Sequence, residues 1–126
     1  MELVKMVLPQ MRARSNGLII NVSSIDAVRG ALGNGYYSAA KGALELASEA
    51  LAKEVKHLGI HVMLAEPGAF RTGFYGQRLQ GSSLEISDYD ALASQYRKES
   101  TGNFHNQKGD PEKAGKQTVG FCRVLT

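Results

Sequence analysis

Apolar residues in the first half of the chain follow two different spacings. In residues 1–14 they recur at positions 3, 4, 7, 8 and 11, a spacing that predicts an amphipathic helix, and Pro9 predicts a kink within it. The segment LIINV (18–22) is instead a continuous apolar run of strand length, typical of a parallel strand covered on both faces. A second such run, IHVMLAE (60–66), predicts a second strand.

A long helix is predicted between these two strands. Residues 37–58 place five apolar side chains along one helical face, and Gly59 provides a stop signal. The five are Leu44, Ala47, Leu51, Val55 and Leu58. The order helix, strand, helix, strand with short turns implies an α/β fold, in which a right-handed crossover joins two parallel strands.

The remainder of the chain has a weaker pattern. Residues 67–109 are loop-like, with weak helical stretches near 73–80 and 88–100, and a segment of this kind is often a lid or a binding loop. Asp110 and Pro111 then signal the start of a final helix, as its cap and its first residue. That helix reaches the end of the chain without a stop signal, so we expect it to be truncated.

Composition narrows the class of protein. With 126 residues, 43% of them hydrophobic and 21% charged, one soluble globular domain is expected. No apolar run approaches the ~20 residues of a membrane span, and the amino-terminal segment lacks the layout of a signal peptide, so we expect a cytoplasmic protein that does not enter a membrane. The net charge is +3, but the Lys and Arg residues are scattered, which argues against a nucleic-acid partner. The single cysteine excludes an intrachain disulfide, and His57, His61 and His105 lack ligand spacing, so no metal site is predicted.

Three segments with reactive side chains are expected to meet at one edge of the sheet. Ligands of open parallel sheets bind beyond the carboxyl ends of the strands. Ser24 follows the first strand, PGAFRT (67–72) follows the second, and the first turns of the long helix return to the same edge. Those turns read YYSAAK (36–41).

Within YYSAAK, Tyr37 has a lysine four residues later, whereas Tyr36 does not. Residues i and i+4 are neighbours on one helix face, so the ammonium of Lys41 and the positive end of the helix dipole would favour the phenolate form of Tyr37. A tyrosine–lysine pair alone is a weak signal. Together with Ser24, whose hydroxyl could hold a carbonyl or alcohol oxygen, it predicts proton transfer at such an oxygen.

The ordered segments GLIINVSS (17–24), YSAAK (37–41), GIHVMLAEPG (59–68) and PGAFRT (67–72) resemble the signature blocks of the short-chain dehydrogenase/reductase family. The resemblance is close over residues 1–80 and looser beyond them. It implies a partial Rossmann-like, doubly wound parallel sheet with the order αβαβα. It also implies an NAD(P)-dependent oxidoreductase that interconverts a secondary alcohol and a carbonyl by hydride transfer.

The resemblance implies a role for each site residue as well. Tyr37 would be the general acid–base, Lys41 would bind the nicotinamide ribose, and Ser24 would orient the substrate oxygen. Four residues would line the nicotinamide of NAD or NADP: Pro67, Gly68, Phe70 and Thr72. Tyr36 would be a packing residue or part of the pocket wall.

Several features of the family are absent from this sequence. It has no glycine-rich phosphate loop, no residue that selects NAD or NADP, no NAG segment and no catalytic Asn on the first helix. Asn16 lies in a turn and cannot replace that Asn, and Met63 stands where the family usually has Asn. We therefore expect the carboxyl-side part of one Rossmann-type domain, inactive alone, with three parts: a catalytic segment (1–72), a substrate-binding loop with helices (73–109) and the truncated start of a further helix (110–126).

The expected partners are a small alcohol or carbonyl substrate and further copies of the chain. Phe74, Tyr75 and Tyr89 suggest a partly apolar substrate pocket. In family members the first helix and the long helix commonly form a dimer interface, so the resemblance implies a homodimer or homotetramer.

Two other functions are compatible with such a scaffold, because fold does not determine function. One is a noncatalytic interaction or regulatory protein that resembles this family, and the other is an unrelated α/β binding domain. The set Ser24, Tyr37 and Lys41 discriminates between these functions and an enzyme, because a binding module has no need of it.

Overall fold

The computed structural model describes residues 1–75, 86–102 and 106–125. Its helices and strands are, in chain order, α1 (Glu2–Arg14), β1 (Gly17–Val22), α2 (Gly35–Val55), β2 (Ile60–Ala65), α3 (Asp90–Thr101) and α4 (Pro111–Leu125). Two compact units are present: the first contains residues 1–67 and the stretch from Lys116 onward, and the second contains the described residues between Gly68 and Gly115.

A parallel sheet of two strands, β1 and β2, organises the first unit. Gly17 lies opposite Ile60, and the register continues to Val22 opposite Ala65. Helix α2 connects the two strands, so the predicted α/β arrangement of parallel strands joined by a helical crossover is confirmed. Both strands agree with their predicted positions to within one residue at each end.

The hydrophobic core lies on one face of this sheet. Side chains alternate between faces along a strand, so Ile19 shares a face with its register partner Val62 and with Ile60, two residues earlier on β2. Helices α1 and α2 both pack on that face, and the buried cluster consists of Val4, Ile19, Leu51, Val55 and Ile60. Complete burial of such a side chain stabilises a fold by about 1.5–3 kcal/mol.

An apolar run of this kind is typical of a strand covered on both faces, but in the part of the chain that the structure describes β1 is covered on one face only. Leu18 and Ile20, on the face opposite Ile19, are only half-buried, and Val22 is 56% exposed. The reason is that α1 and α2 contribute to the same cluster and therefore cover the same face. An apolar run shows that a strand can be buried on both faces, but it does not show which element covers each face.

Two turns that adopt left-handed backbone conformations connect helices to strands. Helix α1 runs continuously through Pro9 and ends at Ser15, whose φ is 49°. Helix α2 passes into a single 3₁₀ turn (Lys56–Leu58), which ends at Gly59 with φ 70°. The predicted stop at Gly59 is confirmed.

The solvent-exposed side of α2 carries an ion pair between residues four apart. The Lys53 ammonium lies 2.6 Å from the carboxylate of Glu49. The hydrogen bond from Lys53, together with its charge, holds the pKa of the Glu49 carboxyl below its ordinary value. Because both side chains are exposed, water screens the pair and it contributes little to stability.

In the second unit, the residues just after Gly68 pair with those that precede α4. Phe70 and Gly109 form a parallel bridge, and the Arg71 guanidinium donates to the carbonyl oxygen of Gln107 at 2.9 Å. The carboxylate of Asp110 lies 3.3 Å from the same guanidinium. These contacts tie the beginning and the end of the expected substrate-binding segment together.

The helices of the carboxyl-terminal region agree with the sequence in part. Asp110 accepts from the backbone N–H of Glu112 at 2.9 Å, so the predicted cap of α4 is confirmed. The helix predicted near 88–100 is α3, preceded by one 3₁₀ turn. Of the stretch predicted near 73–80, a single 3₁₀ turn forms at its start, and 76–80 lie outside the described residues. No described helix has the length and apolar character needed to cross a membrane.

Candidate active site

Two buried serines follow the last residue of β1. The backbone N–H of Ser23 donates to the carbonyl of Ala65 at 2.7 Å and so extends the pairing of the strands by one residue. Ser24 then has an extended backbone, and its Oγ accepts from the N–H of Asp26 at 3.2 Å. This bond occupies a lone pair of the Ser24 oxygen. The hydroxyl hydrogen can therefore point outward and donate to a substrate oxygen.

Tyr37 and Lys41 lie on the part of α2 that returns to this strand end. The ammonium nitrogen of Lys41 donates to the carbonyl oxygen of Val22, the last residue of β1, at 2.8 Å. The same nitrogen lies 5.8 Å from the centroid of the Tyr37 ring. Tyr37 is half-buried, so its ring is held beside the cation at the carboxyl end of the strand.

Tyr36 has a different environment from its neighbour. Its side chain is 97% exposed, so the expectation that it is a packing residue does not hold within the described part of the chain. The difference follows from helix geometry, because adjacent residues are rotated by about 100° around a helix with 3.6 residues per turn.

Polar contacts fix the register of α2 against β1. Asn21 and Ser23 continue the face of β1 that begins with the buried Ile19, and both reach α2. The amide of Asn21 donates to the Oγ of Ser48 at 2.8 Å. The Oγ of Ser23 donates to the carboxylate of Glu45 at 2.5 Å. With Lys41, these contacts form a polar stripe on α2 at successive turns.

Glu45 and Ser48 were not predicted as site residues, although their positions on α2 indicate such a role. Both lie on the same helix face as Lys41, at spacings of four and seven residues, where a helix packed against a sheet would be expected to carry apolar side chains. Polar residues at such positions indicate hydrogen bonds to the neighbouring element, because burying a polar group without a partner is costly.

Asp26 was likewise not predicted as a site residue. This residue is buried, and its carboxylate accepts from Nε of Arg29 and from the side-chain amide of Asn34, each at 3.3 Å. Asn34 is the residue immediately before α2. A single aspartate in a loop has no periodic pattern, so nothing in the sequence identified it.

The four residues expected at the nicotinamide are divided between the two units. Pro67 belongs to the first unit, and its carbonyl oxygen accepts from the N–H of Ile25 at 3.4 Å. Gly68, Phe70 and Thr72 belong to the second unit. There, the N–H of Thr72 donates to the carbonyl of Phe70 at 2.9 Å, and its Oγ1 accepts from the N–H of Phe74 at 3.3 Å.

The chemistry of these residues fits the nicotinamide end of a dinucleotide. The Lys41 ammonium supplies donors beside a tyrosine hydroxyl, a combination suited to the hydroxyls of a ribose. A Cβ built on Gly68 would meet nothing within 4 Å, so the backbone there is accessible to a flat ring. Among the described residues, no group of His, Cys, Asp and Glu side chains could hold a metal ion.

A family model described as "short chain dehydrogenase" matches residues 1–82 of this chain. The chain therefore belongs to the short-chain dehydrogenase family. The predicted resemblance is confirmed.

Relatives and a solved structure agree with this assignment. The chain is 50% identical over 88 residues to a 3-ketodihydrosphingosine reductase of Bacteroides thetaiotaomicron. The matched segment is 67% of this chain and 33% of the relative. The chain is 37% identical over 123 residues to retinol dehydrogenase 8 of Bos taurus, covering 93% of this chain and 39% of the relative. A crystal structure of a short-chain dehydrogenase from Streptomyces avermitilis superposes with a TM-score of 0.71 at 38% identity, covering 93% of this chain and 41% of that one.

These comparisons also define the extent of the chain. It spans between a third and about two fifths of the length of the proteins it matches. Its α/β fold is part of a Rossmann-like sheet, as the sequence predicted.

Proposed function

We propose that the protein is an NAD(P)-dependent oxidoreductase that interconverts a secondary alcohol and a carbonyl, with Tyr37 as the general acid–base. One observation carries the proposal: Lys41 joins the ring of Tyr37 to the end of β1, two residues before the buried Ser24. Family membership supports an oxidoreductase of this class, and the two reductase and dehydrogenase relatives agree with it.

In the proposed reaction, each residue acts at a stated atom. The Ser24 hydroxyl donates to the substrate oxygen and holds it in place. The Tyr37 hydroxyl gives a proton to that oxygen when a carbonyl is reduced, and the Tyr37 phenolate accepts one when an alcohol is oxidised. The Lys41 ammonium stabilises the phenolate that remains after the proton leaves. When bound, the nicotinamide supplies or accepts the hydride.

The residues proposed to hold this cofactor lie on two parts of the chain. Tyr37 and Lys41 would contact the nicotinamide ribose. Pro67, Gly68, Phe70 and Thr72 would line the nicotinamide ring and its carboxamide. The proposal covers both NAD and NADP, because the sequence contains no residue that selects between their riboses. We also propose a cytoplasmic location.

We propose that the substrate is largely apolar around its reacting carbon. The segment that leads from Ser24 to α2 exposes Ile25, Val28 and Leu32. Exposed apolar side chains next to a buried hydroxyl suit a ligand with one polar oxygen and an apolar body. The names of the two relatives refer to a ketodihydrosphingosine and to retinol, both of which have a large apolar part.

The test compares the two adjacent tyrosines in the full-length natural protein. In Tyr37→Phe, turnover of an apolar secondary alcohol with NAD or NADP should fall by at least about 10²-fold, because a positioned acid–base group contributes at least that much. Cofactor affinity, measured by nucleotide fluorescence, and the melting temperature should change little. Tyr36→Phe is the matched control and should retain turnover.

Opposite behaviour of the two variants would overturn the proposal. If Tyr37→Phe retains near-normal turnover, Tyr37 is not the acid–base. If Tyr36→Phe abolishes turnover instead, the choice based on helix spacing is wrong. Ser24→Ala should slow turnover without weakening cofactor binding, since its proposed partner is the substrate oxygen.

A further inference from the structure

Asp26 is a buried carboxylate that the proposed reaction does not use. Only 12% of its side chain is exposed, and both of its oxygens accept hydrogen bonds, one from Arg29 and one from Asn34. Its own backbone N–H donates to the Oγ of Ser24. Asp26 is therefore bonded at one end to a site residue and at the other to the residue that precedes α2.

The single turn that contains Asp26 contacts Pro67 and the helix that carries Tyr37 and Lys41. The turn comprises Ile25–Ala27, and its first N–H donates to the carbonyl of Pro67 at 3.4 Å. Its last carbonyl, that of Ala27, lies 3.3 Å from the position of a Cβ built on Gly42. Gly42 is the residue after Lys41, so the turn packs closely on the helix that carries Tyr37.

The loop between the turn Ile25–Ala27 and α2 needs a contact that fixes its conformation. It includes Gly30 and Gly33, and Gly33 has φ 75°. Glycine allows many backbone conformations, so this loop would not by itself hold Ser24 at a fixed distance from Tyr37. Both hydroxyls must nevertheless reach the same substrate oxygen.

We propose that Asp26 is a positioning residue, which fixes Ser24 relative to the start of α2 through its hydrogen bond to Asn34. This inference rests on the proposed function, because it assigns Asp26 a role only if Ser24 and Tyr37 act together. Asp26 itself does not touch the substrate.

Asn34, rather than Arg29, is the hydrogen-bond partner through which Asp26 positions Ser24. The side chain of Arg29 is 66% exposed, and an ion pair with an exposed partner contributes little because water screens it. Asn34 is half-buried and begins the helix that carries Tyr37 and Lys41. Its side chain accepts no capping hydrogen bond from α2, and its amide nitrogen donates to Asp26.

The experiment exchanges the two partners in the full-length natural protein. Asp26→Asn leaves a single oxygen for which Arg29 and Asn34 compete, and Asn34→Asp places two carboxylates together, so each single change should weaken or break the bond at nearly constant volume. We expect kcat to fall by about 10- to 100-fold in each, the scale of a small misplacement of reacting groups. The dissociation constant of the cofactor should change by less than about twofold, since neither residue contacts it. In the double variant an amide again faces a carboxylate, and kcat should return to within about threefold of the original.

A readout without cofactor or turnover accompanies the kinetics. The NMR resonances of the Tyr37 ring in the unliganded protein should shift in both single variants and return in the double variant. Arg29→Gln is the matched control and should leave both kcat and these resonances nearly unchanged. A general loss of stability would not be repaired by exchanging two side chains, so the recovery identifies positioning.

The outcomes separate this inference from the proposed function. If Tyr37→Phe abolishes turnover but Asp26→Asn and Asn34→Asp retain it, the inference is overturned and the proposed function stands. If both single variants lose turnover and the double variant does not recover, Asp26 does not act through Asn34 and the inference is overturned as well. If Tyr37→Phe retains turnover, the proposed function is the part that fails.

Discussion

The ammonium of Lys41 has three N–H donors, and the structure shows one of them bonded to the end of β1. Two donors therefore remain to be directed toward Tyr37 and a bound ribose. Because the backbone carbonyl of Val22 is held by the sheet, the bond to it limits the positions that the flexible lysine side chain can adopt. The strand thus fixes the position of the Lys41 ammonium, which lies beside the Tyr37 ring.

Replacement of Lys41 should separate its two proposed roles. In Lys41→Ala, the dissociation constant of the cofactor should rise by at least about tenfold, because about 1.4 kcal/mol of ribose hydrogen bonding is lost. Alcohol oxidation at saturating cofactor should also slow, because the phenolate that accepts the proton loses a neighbouring positive charge. Fluorescence titration and kcat at saturating cofactor measure the two effects.

Lys41→Arg is the matched variant, since it keeps the charge and changes the contact geometry. It should restore kcat better than it restores cofactor affinity. A kcat that is the same in Lys41→Ala and in the original protein would show that Lys41 does not act on Tyr37.

For individual residues, periodicity determined which members of the candidate site could be predicted from the sequence. The choice of Tyr37 over Tyr36 followed from a spacing of four, and the exposure of Tyr36 agrees with it. Ser24 could be placed because it follows a recognisable strand. Asp26 and Asn34 could not be paired in advance, because the path of a glycine-containing loop depends on tertiary contacts that no local pattern records.

Among the secondary-structure elements, the turn after α1 and the turn after α2 are in direct contact. Ser15 and Gly59 both have positive φ values, and a Cβ built on Gly59 would overlap the carbonyl oxygen of Ser15. The two turns lead into β1 and β2, whose first residues pair with each other. Gly59 is therefore required both by its backbone conformation and by the close approach of the neighbouring chain segment.

Gly59→Ala should accordingly destabilise the protein. A left-handed conformation costs a residue with a Cβ about 1–2 kcal/mol, and the overlap with a backbone carbonyl adds to this, so we expect a loss of at least about 2 kcal/mol in the free energy of unfolding. Urea denaturation followed by circular dichroism measures it. Gly115→Ala in α4 is the control, because a Cβ there meets nothing within 4 Å and alanine favours a helix. Equal stability of Gly59→Ala and the original protein would contradict the reasoning.

The elements with strong periodicity were predicted best. The strands and α2 were identified because apolar runs and a 3.6-residue repeat are local properties of the sequence. The apolar run of β1 did not show whether one face or both are covered, because coverage depends on where separate helices dock. The segment after β2 has no such repeat, and there the sequence indicated little more than α3 and the capped start of α4.

For the molecule as a whole, two helices present apolar side chains that the described chain does not cover. On α1, Leu3 and Met6 are exposed on the side away from the buried Val4. On α2, Leu46 is 70% exposed, and the exposed Ala39 and Ala43 precede it on the same helix face. Small residues beside a large apolar one allow two helices to approach closely. We propose that these faces form the interface of a homodimer or homotetramer.

The proposed assembly is consistent with the extent of the chain. The relatives are between two and three times longer, and their additional residues have no counterpart here. An exposed face could therefore contact either another copy or residues outside this chain. Substitution of a charge into the face distinguishes these cases, because a contact within one molecule does not depend on concentration whereas a contact between copies does.

Leu46→Glu should dissociate the assembly of the full-length natural protein. At micromolar concentration we expect the original protein to be a dimer or tetramer by light scattering. Because a symmetric interface would bury the new carboxylate twice, the dissociation constant should rise by at least about 100-fold. Leu92→Glu on α3 is the matched control: Leu92 is also an exposed leucine on a helix, so the same change there should leave the mass unchanged. A stable monomer of the original protein at this concentration would contradict the proposed interface, and so would equal dissociation by Leu92→Glu.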